Sequence, residues 1–191
     1  YAKIPDDIMI EPIDINGISS EWIIPVNRDK KKVILYVHGG GYVSGSCNDH
    51  RGFVSKFSKN CGYAALLYEY RLAPEFPFPA ALEDSLTVYK YLLEKDIKPE
   101  NILIAGESAG GGLALALLLA VRDEHLPLPA AAAVISPWTD LTCSSDSYHT
   151  KNKVSLAPLN LWNVFSKHYR GNNAPENPLI SPLFGDLSGL P

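Results

Sequence analysis

The chain has 191 residues, of which 46% are hydrophobic and 20% charged, and it carries a net charge of −4. That length supports one domain with a real core, and the acidic balance offers no basic face for nucleic acid or an anionic membrane surface. The longest apolar run, Leu113–Val121, is too short to span a bilayer, and Cys47, Cys61 and Cys143 have neither a disulfide framework nor metal-ligand spacing.

Tyr1-Ala2-Lys3-Ile4-Pro5-Asp6-Asp7 has no apolar h-region, so no cleavable signal is read there. The chain starts at Tyr rather than Met, which leaves the true N-terminus and any targeting segment open. Small, largely buried thiols fit a reducing cytoplasm. Ile8–Ile15 and Ser19–Val26 read as two strands joined at Asn16-Gly17, a hairpin turn signal. Lys31-Lys32 leads into Val33–Val37, apolar on both faces as a central parallel strand is. Asp49–Asn60 reads as a helix with Phe53, Val54 and Phe57 on one face, and Tyr63–Tyr68 as the next strand. Pro79 suits the first turn of a helix over Ala80–Lys95, striped by Leu82, Leu86, Tyr89 and Leu93.

Ile102–Ala105 is a short strand, and Ser108–Arg122 is a helix apolar nearly all round, hence deeply buried. Ala130–Ser136 is a further strand. Strands alternating with helices predict an α/β fold with a mostly parallel sheet. After Asp140 the texture changes. Thr142–Lys153 is polar and loop-like, Pro158–Tyr169 reads as a helix carrying Leu161, Trp162, Val164 and Phe165, and residues 171–191 are rich in Asn, Pro, Gly and Ser.

Two glycine-rich segments each follow an apolar strand: His38-Gly39-Gly40-Gly41 and Gly106-Glu107-Ser108-Ala109-Gly110. A serine hydroxyl is a poor nucleophile unless a base lies within hydrogen-bond reach and donors await the oxyanion. A serine on a tight strand-to-helix turn is lifted clear of the sheet, and the crowding there demands small neighbours, met by Gly106, Ala109 and Gly110. The Ala109 N–H is one expected oxyanion donor. Gly40 and Gly41 are the others, and Gly39 serves the turn. Alone, 106–110 could equally be a tight turn with a capping serine. The flanking strand and helix and the upstream glycines favour the nucleophile. Neither segment matches G-x-G-x-x-G or a P-loop, so a nucleotide site is disfavoured.

On these residues the chain resembles the hormone-sensitive-lipase family of α/β-hydrolases. The likeness rests on His38–Tyr42, Tyr70-Arg71-Leu72-Ala73-Pro74-Glu75, Phe78–Asp84, Gly106–Gly112, Ser136-Pro137-Trp138 and Ser181-Pro182-Leu183. It covers most of the chain from about residue 20, and one departure is Glu107 where many members carry Asp. The resemblance implies an α/β-hydrolase core over 1–140, a cap-region insertion over 141–185 and a return to the core from 186. The 158–169 helix would be the cap piece, with the N-terminal cap segment largely absent. It also implies a carboxylesterase acting on short- to medium-chain esters through an acylated Ser108, with no cofactor and no metal.

In this fold the chain order is Ser, then Asp or Glu, then His. The family pattern puts the last two after later strands, and Pro191 falls where the next strand should begin. Asp140 with His149 or His168 satisfies the order only formally, and His125 reads as a surface residue. The chain alone therefore lacks a convincing catalytic acid and histidine. It reads either as a fragment of a complete esterase or as a naturally shortened, inactive member. An apolar parallel strand ending the sheet at Ala130–Ser136 favours the first, with the missing strands supplied by a second polypeptide segment or a homodimer. The alternative function is a non-catalytic small-ligand binder, as in the family's gibberellin-receptor branch. A serine peptidase is less favoured, since the glycine triplet is the lipase and esterase form.

His38 precedes Ser108 and is expected to fix the glycine loop by hydrogen bonds rather than to act as base. Tyr42 and Trp138 are expected to line the acyl pocket, with plain core packing an equal alternative. Arg71 and Glu107 are expected to pair and brace the elbow, with two unrelated charges as the alternative. Glu83 and Asp84 read as helix N-terminal charge balance.

Overall fold

The computed structural model describes residues 3–155 and 157–191. Tyr1 and Ala2, part of the stretch read for a leader, lie outside the described residues. Strand β1 (Ile8–Ile15) and β2 (Ile18–Pro25) form an antiparallel hairpin with Ile15 opposite Ile18. Its two-residue turn has Asn16 at φ 54° and Gly17 at φ 88°, the paired left-handed geometry of a type I′ turn. Strands β3 (Asp29–Val37), β4 (Tyr63–Tyr68), β5 (Ile102–Glu107) and β6 (Ala131–Ile135) run parallel. The sheet order is β1-β2-β4-β3-β5-β6, with β2 antiparallel to β4.

Alternate residues of β3 divide between two core layers, as the two-residue period of a strand requires. Ile34 and Tyr36 face the layer that holds Cys47 and Val54 of helix α1 (Cys47–Cys61). Val33, Leu35 and Val37 face helices α2 (Ala80–Glu94) and α3 (Ala109–Asp123). Helix α1 begins two residues earlier than the apolar pattern suggests, because Ser46 caps it by accepting the Asp49 N–H. It ends on Gly62 in the left-handed conformation. Helix α3 is buried from Ala109 to Val121 except at the half-buried Leu115, as that apolar run requires, and comes to the surface at Arg122 and Asp123.

Two differences from the sequence expectation stand out. The polar stretch 142–153 contains a short helix, α4 (Asp146–Thr150), too brief to register as a periodic pattern. Strand β5 runs on to Glu107, so the glutamate is still in the ladder, opposite Ile135. The expected 158–169 helix is α5 (Leu159–Arg170). Strand β6 pairs with β5 on one side, and its other edge is open among the described residues. The three thiols are free; Cys47 and Cys143 are buried and Cys61 is partly so. Among the described residues no helix is long and apolar enough to cross a membrane.

Candidate active site

The parallel β3–β5 ladder ends with Val37 opposite Gly106, and both chains then turn within one residue or two. At β5 the turn is the Ser108 elbow. Ser108 has φ 53° and ψ −122°, a conformation costly for a residue with a Cβ. The surroundings hold it there: its N–H donates to the Ile135 carbonyl at 3.0 Å, and its carbonyl accepts from the Trp138 and Gly112 amides at 2.8 and 3.1 Å. A Cβ at Gly106 would overlap the Gly110 carbonyl, and one at Gly110 would overlap the Val37 and His38 carbonyls. The first turn of α3 can therefore lie against the end of β3 only with glycine at both places.

At β3 the chain passes into the glycine triplet. A Cβ built at Gly39 would stand 3.3 Å from the Ser108 Cβ, so the two segments meet side by side. Gly40 and Gly41 have φ 123° and 63°. Among the described residues, the amides of Gly40, Gly41 and Ala109 have no protein acceptor. Ala109 opens α3, where the N–H groups are unsatisfied and the helix dipole is positive.

The ring of His38 is fully buried and stacks on Tyr70, with centroids 4.2 Å apart, and on His50 at 5.1 Å. Its Nδ1 lies 2.8 Å from the Gly39 carbonyl, so Nδ1 carries the proton and Nε2 is a buried atom without a partner. Burial pushes its pKa down to about 4, and the ring is neutral at pH 7. The Tyr70 hydroxyl donates to the His38 carbonyl at 2.8 Å. His38 is thus a buried support of the glycine loop, with its ring bonded to the loop itself.

Ser108 opens on a cavity of about 340 Å3 lined also by Ser136, Pro137, Trp138, Tyr148, Lys151 and Trp162. Trp138 is one of its walls and is otherwise buried in the core. Tyr42 does not line it: it is 1% exposed and stacks on Tyr169 at 3.7 Å, beneath the loop. Core packing wins there because α5 delivers a facing ring. Nor do Arg71 and Glu107 pair. Arg71 bonds Asp84 at 2.8 Å and Glu83 at 3.0 Å, while Asp84 also accepts the Arg71 amide at 2.8 Å. Asp84 is buried, so its role is this clamp rather than charge balance at a helix end.

Glu107 turns instead toward β3 and α1. Its Oε1 accepts the Gly39 N–H at 2.6 Å and lies 3.0 Å from His50 Nε2, and its Oε2 accepts the Tyr36 hydroxyl at 2.6 Å. Nothing local in the sequence marks His50 or Tyr36 as partners of Glu107, since each contact is made across the fold. No histidine lines the cavity, and no group among the described residues hydrogen-bonds the Ser108 hydroxyl. His149 lies on α4, and His168 lies on α5 in a separate groove beside Pro74 and Pro77.

A strained serine between a parallel strand and a buried helix, flanked by a glycine loop from the neighbouring strand, defines the α/β-hydrolase class. A family described by its alpha/beta hydrolase fold matches residues 34–191, most of the chain, and the chain belongs to it. Within that class its likeness is to the hormone-sensitive-lipase group. A crystal structure of an esterase from the bacterial hormone-sensitive lipase family superposes with a TM-score of 0.95 at 40% identity, covering 99% of this chain and 64% of that one. EstE5, in crystals soaked with p-nitrophenyl butyrate, matches with a TM-score of 0.95 at 46% identity over the same shares. An acetyl-hydrolase of Streptomyces hygroscopicus is 42% identical over 181 residues, 94% of this chain and 60% of that protein. An esterase of Acinetobacter venetianus is 35% identical over 186 residues, 96% of this chain and 61% of that protein. The chain thus spans about three fifths of the length of these relatives.

Proposed function

We propose that the protein is a carboxylic-ester hydrolase that works through an acyl-enzyme on Ser108. The observation that carries this is the meeting of a strained, half-buried Ser108 with the unpartnered amides of Gly40, Gly41 and Ala109. The Ser108 oxygen bonds to the ester carbonyl carbon as its proton passes to a base, and the three amides take up the charge on the carbonyl oxygen. The C–O bond to the alcohol then breaks, and the alcohol leaves with that proton. Water repeats the sequence on the acyl-enzyme and releases the acid. Nothing in these steps calls for a metal or cofactor.

The cavity volume and its Trp138, Trp162 and Pro137 walls suit a small ester with a short to medium acyl chain. Residues 141–185, with α4 and α5 beside Ser108, act as the cap over it. The general base reaches Ser108 from a segment paired along the open edge of β6, either in a longer chain or in a second copy. Free thiols fit a reducing compartment, which we take as the cytoplasm.

A second reading, a small-ligand binder using the same cavity, is favoured by one observation: no described side chain bonds the Ser108 hydroxyl. Hydrolysis of p-nitrophenyl acetate and p-nitrophenyl octanoate separates the two. The esterase reading expects turnover that Ser108→Ala lowers by about 10^4-fold or more. Equal rates for the two proteins, or no turnover by a protein supplied with an acid and histidine, favour the binder.

A further inference from the structure

We propose that Glu107 is a positioning residue for the oxyanion loop, held in its bonding rotamer by His50. The inference rests on the esterase reading for its catalytic consequence and on geometry alone for the contact. The β3–β5 ladder stops at Val37 and Gly106, yet the Gly39 amide still finds an acceptor on β5, the Glu107 side chain at 2.6 Å. That bond extends the pairing past the end of the ladder, from the residue before the nucleophile to the first glycine of the loop. It is charge-assisted, hence short and strong for its type. A Cβ at Gly39 would meet the same carboxylate oxygen at 2.9 Å, so a side chain there would push the carboxylate off the amide.

The carboxylate has little freedom to turn away. Tyr36, buried on β3, donates to Oε2 at 2.6 Å, and His50 from α1 faces Oε1 at 3.0 Å. His50 Nδ1 lies 3.0 Å from the Ser46 carbonyl. Both its ring nitrogens therefore face acceptors, and both can donate only when the ring is protonated. Burial works against that charge, but the Glu107 and Ser46 hydrogen bonds outweigh it and raise the His50 pKa above its ordinary value. Burial likewise opposes the Glu107 charge, and the bonds from His50, Tyr36 and the Gly39 amide outweigh it and lower the carboxyl. The other titratable groups facing His50 are His38 from the end of β3 and Asp49, its neighbour on α1.

The His50 contribution is complete below that residue's ordinary value and is lost as pH rises through the raised one. The Glu107 contribution is complete above its ordinary value and is lost as pH falls through the lowered one. The clamp is whole in the window between, and above it the loop loses its outer support while Gly39 keeps a charged acceptor.

The test uses the full-length protein and the variants Glu107→Gln, Glu107→Asp and His50→Gln. In Glu107→Gln, kcat for p-nitrophenyl acetate should fall about 10- to 100-fold, the effect of small misplacement at a reacting centre, with KM within about twofold. Hydrogen exchange at Gly40 and Gly41 should rise about tenfold or more in the same variant, while the urea midpoint shows it folded. Glu107→Asp should recover part of both losses, and His50→Gln should remove the alkaline fall in kcat. Unchanged exchange at Gly40 and Gly41 in Glu107→Gln would overturn the proposal, as would a loss confined to KM. If the parent protein hydrolyses no ester, the esterase reading fails, and the exchange comparison decides alone whether Glu107 positions the loop. Should Glu107→Gln not fold, the alkaline profile of His50→Gln decides: a fall identical to the parent's counts against the clamp.

Discussion

The exits of β3 and β5 and the stretch 141–185 meet around Ser108 but are held differently. The exits are fixed atom by atom: glycines against carbonyls, a carboxylate against an amide, and a neutral imidazole sealed beneath them. The 141–185 stretch rests on large rings and on a few separate hydrogen bonds, such as the Leu141 amide to Ser181 Oγ at 2.8 Å and the Phe78 amide to the Tyr169 carbonyl at 2.7 Å. Trp162 meets Trp138 edge-on at 5.4 Å and Phe165 at 6.2 Å, and Tyr169 stacks on Tyr42, while Val154 is 81% exposed. At the strand exits, backbone contacts leave no room for a larger residue at Gly106 or Gly110. The cavity wall mixes rings with Ser136, Ser147 and Lys151 and makes no such demand.

The largest test of that contrast is Gly110→Ala. Its methyl group must displace two backbone carbonyls, which should cost about 3–5 kcal/mol in urea unfolding. A loss under about 1 kcal/mol would mean that the two exits are not interlocked. Acid should come next. His38 is depressed in the fold, so its contribution is complete above its ordinary value and fades as pH falls toward about 4. That amounts to a stability loss on the order of 3 kcal/mol between pH 7 and pH 4. The comparison is with His38→Asn, whose denaturation midpoints should depend less on pH over that range. Equal slopes would show that the ring is not buried in neutral form.

On the other side of the contrast, Trp162→Ala should cost about 1–2 kcal/mol and shift the preference between acetate and octanoate esters toward the longer acyl chain. Rates for both esters that fall in proportion would place Trp162 outside the acyl wall. The smallest effect is expected for Val154→Ser, within about 0.5 kcal/mol by thermal unfolding. A larger drop would mean that the exposed valine is covered in solution.

Much of this was legible in the sequence because it depends on patterns along the chain. The Asn16-Gly17 turn, the apolar β4 and the all-apolar α3 each carry their own signal; β3 starts at Asp29, four residues ahead of its apolar run, and α1 starts two residues early where Ser46 caps it. Ser108 and the glycine triplet were legible because tight turns need small residues at fixed spacing. Three things were not. The Glu107–His50–Tyr36 contacts join three elements, and charge alone suggested Arg71 as the partner. Asp84 looked like a helix-end charge but is buried against Arg71. Tyr42 looked like a pocket wall because it follows the glycines, yet its φ of 65° turns it toward Tyr169. Such contacts across the fold leave no periodic trace.

The close fit of Gly110 against the Val37 and His38 carbonyls also bears on how this scaffold diversifies. Because helix and loop are locked together by backbone contact, α4 has no part in holding them, whereas α5 touches the loop through Phe165 at Gly41 and Tyr169 at Tyr42. Replacements on α4 and at Trp162 can then reshape the cavity wall while the elbow at Ser108 beneath keeps its form.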